Sequence, residues 1–147
     1  MSRPGKKQSH DGATATGAGE AHFTRAHTAL GIFVVANNFD SANDTLTVQL
    51  EGGFEGKSPT GTDGTDYLAP IYDGSTQLSI DGSALVDSGD GSTYYGFLWA
   101  SNVPAEKVRA NISSITDNAG GDLSVDTYVL LSNNASGGGH SFEPDST

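Results

Sequence analysis

Residues 44–52, DTLTVQLEG, decide the fold class. Leu46, Val48 and Leu50 alternate with threonine and glutamine along this stretch. Because successive side chains of a strand point to opposite faces, the alternation predicts a β-strand with one buried face and one wet face. The stretch ends in glycine, which releases the chain into a loop.

Six further segments have strand-like apolar patterns, and several of them end at turn residues. They are 22–39, 66–74, 75–82, 92–101, 106–116 and 122–132. Short strands at this spacing predict an all-β protein: an antiparallel β-sandwich, jelly-roll or immunoglobulin-like, of about seven to eight strands. The connection DNAGG at 117–121 has hairpin turn chemistry, so we expect the last two strands to form a hairpin.

Composition divides the chain into three parts. Residues 1–22 form a basic, low-complexity N-terminal arm, 23–131 form the sandwich domain, and 132–147 form a flexible Gly/Ser-rich tail. The arm and the tail hold too little apolar surface to offset the entropy cost of ordering on their own. We therefore expect contacts outside the domain to order the arm.

Charge is distributed unevenly along the chain. The formal net charge is -11, yet the first 25 residues carry four bases, Arg3, Lys6, Lys7 and Arg25, against two acids. The remaining residues carry three bases against sixteen acids. Such a body repels nucleic acid and anionic lipid, so neither is an expected partner. The basic residues instead predict an assembly arm that docks on an acidic neighbour.

The excess of acids over lysines also suggests adaptation to high salt. At about 1 M salt the screening length falls to roughly 3 Å, so self-repulsion of an acidic body is largely removed. An ordinary acidic surface is the alternative interpretation. The chain has no cysteine, which removes disulfides and thiolate chemistry.

Gly56-Lys57-Ser58 resembles the end of a phosphate-binding loop. That motif needs a glycine five positions before Gly56, where this chain has Glu51, and a helix afterwards, where it has PTGTDGTD. A strand end followed by a loop is the favoured interpretation. Lys57 then becomes a candidate subunit contact.

Two acidic turns are weak candidates for a metal site, and no cofactor is expected. Their carboxylates are Asp63 and Asp66 in one turn and Asp87 and Asp90 in the other. Calcium wants six to eight oxygen ligands, and glycine occupies positions where ligands would be needed. Turn formation by the Asp side chains explains both stretches without a metal.

Four aromatic residues lie on the strand at 92–101. Tyr95, Phe97 and Trp99 share one face, and Tyr94 points to the other. The favoured interpretation makes the three-residue face part of the core. If that face is exposed, it is a sugar-stacking platform or a subunit interface.

Three segments, TLTVQLEGGFEG, YLAPIYDG and EKVRANISSITDNAGGDLSVDTYVLL, resemble a recurrent small β-sandwich of tailed-virus virions. The resemblance covers about residues 30–131 and rests on sandwich patterning. In that family a strand like VRANI pairs with the final strand, and there are no catalytic residues to carry over. The long loop 53–66 departs from the family's short turn.

The resemblance implies a structural virion protein: a capsid decoration or turret subunit, or less favourably a tail component. The acidic, lysine-poor body suggests a virus of a halophilic archaeon. We expect a non-enzymatic, symmetric homo-oligomer at the virion surface, with the major capsid protein or other virion subunits as partners. The alternative is a carbohydrate-binding or adhesin module that contacts host glycans through the aromatic face.

Overall fold

The computed structural model describes residues 5–56 and 66–133. These residues form strands and one short 3-10 helix, Gly82–Ala84. The strands are β1 (Gly5–Ala13), β2 (Gly17–Ala18), β3 (His22–Phe23), β4 (Ala29–Asn37), β5 (Thr45–Phe54), β6 (Tyr67–Pro70), β7 (Tyr72–Asp73), β8 (Thr76–Gln77), β9 (Ser79–Asp81), β10 (Val86–Asp87), β11 (Tyr94–Ala100), β12 (Lys107–Thr116) and β13 (Ser124–Ser132). The predicted all-β fold is confirmed.

The strands form two main antiparallel sheets. The first sheet has the order β1-β13-β4-β11-β10. The second has the order β2-β12-β5-β6, with β3 also paired to β12 and β9 also paired to β5. Strands β7 and β8 form a separate hairpin. Within the described ranges there is no helix of the length and hydropathy that a bilayer span requires.

The core lies between the two sheets. Strand β5 buries the predicted row Leu46, Val48 and Leu50, each at most 2% exposed. Other strands contribute apolar rows of the same kind, which include Leu30, Ile32, Val34, Val108, Ala110, Ile112, Val125 and Val129. Alternation thus places one face of β4, β5, β12 and β13 in a shared apolar layer, and burial of this layer is the main favourable term of the fold.

The predicted hairpin between β12 and β13 is wrong. Strand β12 pairs with β5 in the second sheet, and β13 pairs with β4 and β1 in the first sheet. Residues 117–123 cross from one sheet to the other, and Asp117 caps the crossing by accepting a hydrogen bond from the Leu123 amide at 2.9 Å. The apolar rows of the two strands meet across the core because both must be buried.

The prediction of an arm outside the sandwich is wrong for residues 5–13. They form β1, which pairs along β13, and the chain then crosses to place β2 and β3 on β12. Arg3 lies outside the described residues, as does the predicted tail from 134 onward. Residues 5–13 have few apolar side chains, and backbone hydrogen bonds to β13 order them instead. Composition does not reveal such pairing.

Two polar side chains anchor the crossing from β1 to the second sheet. The Ser9 hydroxyl donates to the Glu20 carbonyl at 2.9 Å and accepts from the Ala110 amide at 3.1 Å. The His10 ring lies 2.9 Å from the Gly17 carbonyl through Nε2 and 2.7 Å from the Thr127 hydroxyl through Nδ1. Burial lowers the pKa of His10 below its usual 6.5, and the hydrogen bond to Gly17 opposes that shift. The N-terminal segment therefore joins both sheets.

Candidate functional site

The outer face of the first sheet carries the aromatic residues of β11. Tyr95 and Phe97 are each 37% exposed, and Trp99 is half-buried on the same face. The favoured prediction that this face belongs to the core is therefore wrong. The exposed alternative, a platform or an interface, fits the structure.

Strand β11 turns its smaller side chains inward because the second layer approaches it closely. Leu98 and Tyr94 pack on the core, and the Tyr94 ring meets the Phe39 ring edge-on at 5.3 Å. A Cβ at Gly96 would stand 2.9 Å from a Leu85 methyl and 3.3 Å from an Ile80 methyl. No larger residue fits at position 96 without movement, so the face of β11 that carries Tyr95, Phe97 and Trp99 lies outside.

Strand register arranges the outer face of the first sheet into three rows across the strands. Row one is Lys6, Leu130, Gly31 and Trp99; row two is Gln8, Tyr128, Phe33 and Phe97; row three is Asp126, Val35, Tyr95 and Val86. We call these twelve residues the aromatic face. The Phe33 ring lies 6.3 Å from Tyr95 and 6.1 Å from Tyr128, distances at which ring pairs interact favourably.

Trp99 is positioned by the glycine beside it. Two atoms of the indole lie 3.2 Å from where a Cβ on Gly31 would stand, and that Cβ would also collide with the Leu98 carbonyl. The glycine thus lets the indole lie against β4. This contact holds the largest aromatic side chain of the face at one end of row one.

Charge on the aromatic face is confined to the β1 and β13 side. The Lys6 ammonium lies 4.6 Å above the centre of the Tyr128 ring. The Asp126 carboxylate accepts from the Gly12 amide at 2.7 Å and from the Asn37 side chain at 3.1 Å, which fixes its position. The β4, β11 and β10 part of the face is uncharged.

The outer face of the second sheet is different in kind. Four cross-strand polar pairs lie on it: Arg109 with Glu51 at 2.7 Å, Asn111 with Gln49 at 3.2 Å, Thr47 with Asp81 at 3.0 Å and Lys107 with Asp66 at 2.7 Å. We call these eight residues the polar face. The exposed ring of Phe23 lies beside them under the Lys107 ammonium. Glu51 is only 5% exposed, so its ion pair compensates a largely desolvated charge.

Of the four bases predicted to form an assembly arm, the three that the structure describes are not brought together. Lys6 lies on the aromatic face, whereas Lys7 points to the other side of β1 at its exposed edge. Arg25 follows β3 beside the second sheet, with its guanidinium 5.7 Å from the Phe23 ring. Arg25 also has a φ of 53°, which is strained for a residue other than glycine.

The weak metal candidates have structural roles where they are described. The Asp87 carboxylate accepts from the Gly89 and Gly91 amides, and the Asp90 carboxylate accepts from the Ser92 and Thr93 amides. The amide bonds from Thr93 and Ser92 lower the pKa of Asp90 to about 2.

The other two metal candidates are Asp63 and Asp66. The hydrogen bond from Lys107 lowers the pKa of Asp66, and Asp63 lies outside the described residues. Across 5–56 and 66–133, no three His, Cys, Asp or Glu side chains form a group that could hold a metal ion.

The two backbone amides just before Lys57 already donate hydrogen bonds to carboxylates. The Glu55 amide donates to Glu106 at 3.0 Å, and the Gly56 amide donates to Asp66 at 3.0 Å. Backbone amides of this kind would have to face phosphate in a nucleotide loop. The favoured interpretation of a strand end is therefore supported, while Lys57 itself lies outside the described residues.

A cleft of about 450 Å³ opens at one end of the sandwich, next to the aromatic face. Its lining combines Trp99 with Tyr72, Asp73 and Asn102. No sequence pattern predicts this cleft, because its residues come from separate segments of the chain.

No protein-family model matches the sequence, and no curated protein matches it at a significant level. A solved structure that does match is the crystal structure of the SPBc2 prophage-derived protein YomS. It is 14% identical to this chain, with a TM-score of 0.43, and the match covers 88% of this chain and 96% of YomS. A likeness of this size is too weak to transfer fold or function.

Proposed function

We propose that this protein is a structural component of a tailed-virus particle, a capsid decoration or turret subunit, that assembles as a symmetric homo-oligomer. Its role is adhesion and reinforcement rather than catalysis. A tail component is a variant of the same proposal. We place it at the virion surface of a virus of a halophilic archaeon, in contact with the major capsid protein or other virion subunits.

The observation that carries the proposal is the exposed aromatic face. Tyr95, Phe97 and Val86 are between 37% and 54% exposed, while Tyr94 and Leu98 on the other side of β11 are partly buried against the core. Contiguous exposed apolar surface on a soluble protein marks an interaction site, and aromatic residues are enriched at interface centres. Burying such surface stabilises by about 25 cal/mol per Å².

The charge of the chain supports a contact through this face in particular. Two copies with a formal charge of -11 repel each other, and the repulsion is weakest where charged groups are fewest. The aromatic face has one base and one acid on it. High salt screens the remaining repulsion and strengthens apolar burial, so the association suits a saline environment.

The proposal is tested on virus particles purified from a culture that expresses this chain. Quantitative mass spectrometry should find the protein at a constant ratio to the major capsid protein through successive gradients. Immunogold labelling should place it on the outside of the particle. A protein that stays in the cell lysate, or whose ratio falls with each purification step, contradicts the proposal.

Glycan binding is a second candidate function because of the cleft beside the aromatic face. The cleft offers aromatic rings on which a sugar can stack, Trp99 and Tyr72, and polar side chains that can hydrogen-bond its hydroxyls, Asp73 and Asn102. The chain has a single tryptophan, so its fluorescence reports on this site alone. A sugar-induced change in emission that Tyr72→Ala abolishes would support binding. An unchanged spectrum across a panel of host surface glycans would exclude it.

A further inference from the structure

The two charges of the aromatic face lie at opposite ends of it along the strands. Lys6 is in row one and Asp126 is in row three, and both are on the β1 and β13 side. Four residues of rise separate the two rows, which is about 13 Å. Between them, in row two, lie Gln8 and Tyr128.

When two copies pack face to face, the twofold axis lies in the plane between them. An axis across the strands exchanges rows one and three and keeps each strand opposite its own counterpart. Lys6, on β1, then lies one strand spacing of about 4.8 Å to the side of Asp126 of the partner subunit, on β13, which a lysine side chain can span. An axis along the strands instead sets the charged side against the uncharged side, so that Asp126 faces apolar residues of β11 and β10.

The two arrangements differ in what they do to the carboxylate. Packing apolar side chains over Asp126 is unfavourable because its charge loses hydration, and its hydrogen bonds from Gly12 and Asn37 supply no cation. Facing an ammonium group gives it a partner, and it does so twice in a symmetric dimer. Charge complementarity therefore selects the axis across the strands.

We propose that two copies of this chain pack aromatic face to aromatic face about a twofold axis across the strands, with Lys6 of each copy against Asp126 of the other. This inference rests on the proposed self-assembly and adds its partner and orientation. Row two lies on the axis, so Phe33 and Phe97 meet their own counterparts at the centre. Trp99 faces row three of the partner subunit.

The small area of the aromatic face predicts a low affinity of the dimer. Five strands and three rows span about 19 Å by about 13 Å, a flat area of roughly 250 Å². A stable dimer of ordinary size buries about 800 Å² on each partner. The isolated dimer is therefore weak, and the many copies on a particle add their contacts through avidity.

The edge of the first sheet is a poorer place for self-association. Strand β1 has register irregularities between Gln8 and His10 and between His10 and Ala13. Gly12 adds a φ of 65°. Bulges and edge lysines are the features that prevent strand addition from another chain.

The test is a charge-swap experiment by sedimentation equilibrium at about 0.15 M salt, where the screening length is about 8 Å. Two variants are compared, Lys6→Glu and Asp126→Lys, each at concentrations up to about 1 mM, where weak complexes form. Each variant alone should self-associate about tenfold more weakly, because both symmetric contacts become repulsive. An equimolar mixture should regain wild-type association, because every contact in the mixed dimer is attractive.

Lys7→Glu is the matched control, since it changes the net charge equally from the other side of β1. If K7E weakens association as much as K6E, net charge alone governs it and the orientation is wrong. If neither does, while Phe97→Ser abolishes association, the face is the interface but the axis is wrong. If Phe97→Ser has no effect either, the proposed self-assembly through this face fails as well.

The comparison of K6E with K7E needs no substitution at Asp126. It therefore keeps the proposal testable if Asp126→Lys does not fold, because Asp126 holds the Gly12 amide. Two-dimensional NMR spectra at low concentration establish whether each variant keeps the wild-type fold.

Discussion

The outer faces of the two sheets carry different types of residue. Both belong to long alternating strands with a buried inner row, so the outer positions were free to be polar. On the second sheet most of them are polar and paired, with Arg109 bound to Glu51 across β12 and β5, and the exposed ring of Phe23 lies among them. On the first sheet they are aromatic, with Phe33 between Tyr95 and Tyr128. The contrast is what the proposed association through the aromatic face requires.

The largest expected effect comes from removing the strand that borders the aromatic face. Deleting residues 1–13 exposes the edge of β13 and removes the Ser9 and His10 anchors to the second sheet. We expect loss of the cooperative thermal transition, measured by calorimetry and near-ultraviolet circular dichroism.

The control for this deletion is the double variant Lys6→Ala and Lys7→Ala. It removes both lysines of β1 but keeps the backbone pairing, and it should melt cooperatively. A truncated chain that unfolds at the wild-type temperature would restore the idea of a dispensable arm.

The next largest effect is expected from a substitution on the polar face. Arg109→Met leaves the buried Glu51 carboxylate without its cation, which should lower the free energy of unfolding by about 2 kcal/mol. The pair variant Arg109→Met with Glu51→Leu removes both charges and should recover most of that loss. Urea denaturation measures all three proteins. Self-association should not change in any folded variant, and a change would mean that the polar face also binds.

A smaller effect concerns the link between the sheets at His10. Its pKa is lowered in the folded protein, so its contribution to stability is complete above the unfolded pKa of 6.5. That contribution is lost as the pH falls through 6.5 towards the folded pKa. Urea unfolding at a series of pH values should show the decline, and His10→Gln should remove it. Equal pH dependence in both proteins would contradict the assignment.

The smallest effect concerns the turn at the β10 and β11 end of the first sheet. Asp90 has a pKa of about 2 because the Thr93 and Ser92 amides bind its ionised form. Its stabilising contribution is therefore complete above the usual 3.8 and is lost as the pH falls through about 2. Carboxyl NMR should follow this titration. Asp90→Asn is the control, because its side-chain oxygen still accepts hydrogen bonds but does not titrate. A titration midpoint of Asp90 near 3.8 in the wild type would contradict the hydrogen bonds of this turn.

Sequence patterns predicted which residues share a face but not which face is inside. In β5 the decision was unambiguous, since Leu46, Val48 and Leu50 alternate with polar residues. In β11 both faces are apolar, and the bulkier set lies outside because the core side needs Gly96 at a close approach. The prediction that the face with the larger side chains belongs to the core was therefore wrong.

Long-range pairing was the other limit. Nothing in GKKQSHDGA resembles a strand, because β1 is ordered by the edge of β13 and by Ser9 rather than by its own apolar residues. The separation of β12 from β13 was also hidden, since a short turn-rich connection fits a hairpin and a crossing equally well. The ion pair of Arg109 with Glu51 depends on register, which composition does not specify.

The central claim is that the aromatic face, and not the polar face, is the association surface. Light scattering of concentrated protein in about 1 M salt, where charge repulsion is screened, tests it most directly with two matched variants. Phe97→Ser on the aromatic face should reduce the mass to that of the monomer. Asn111→Ser on the polar face should leave the wild-type mass unchanged. A Phe97→Ser variant that keeps its fold and still associates like the wild type would contradict the account.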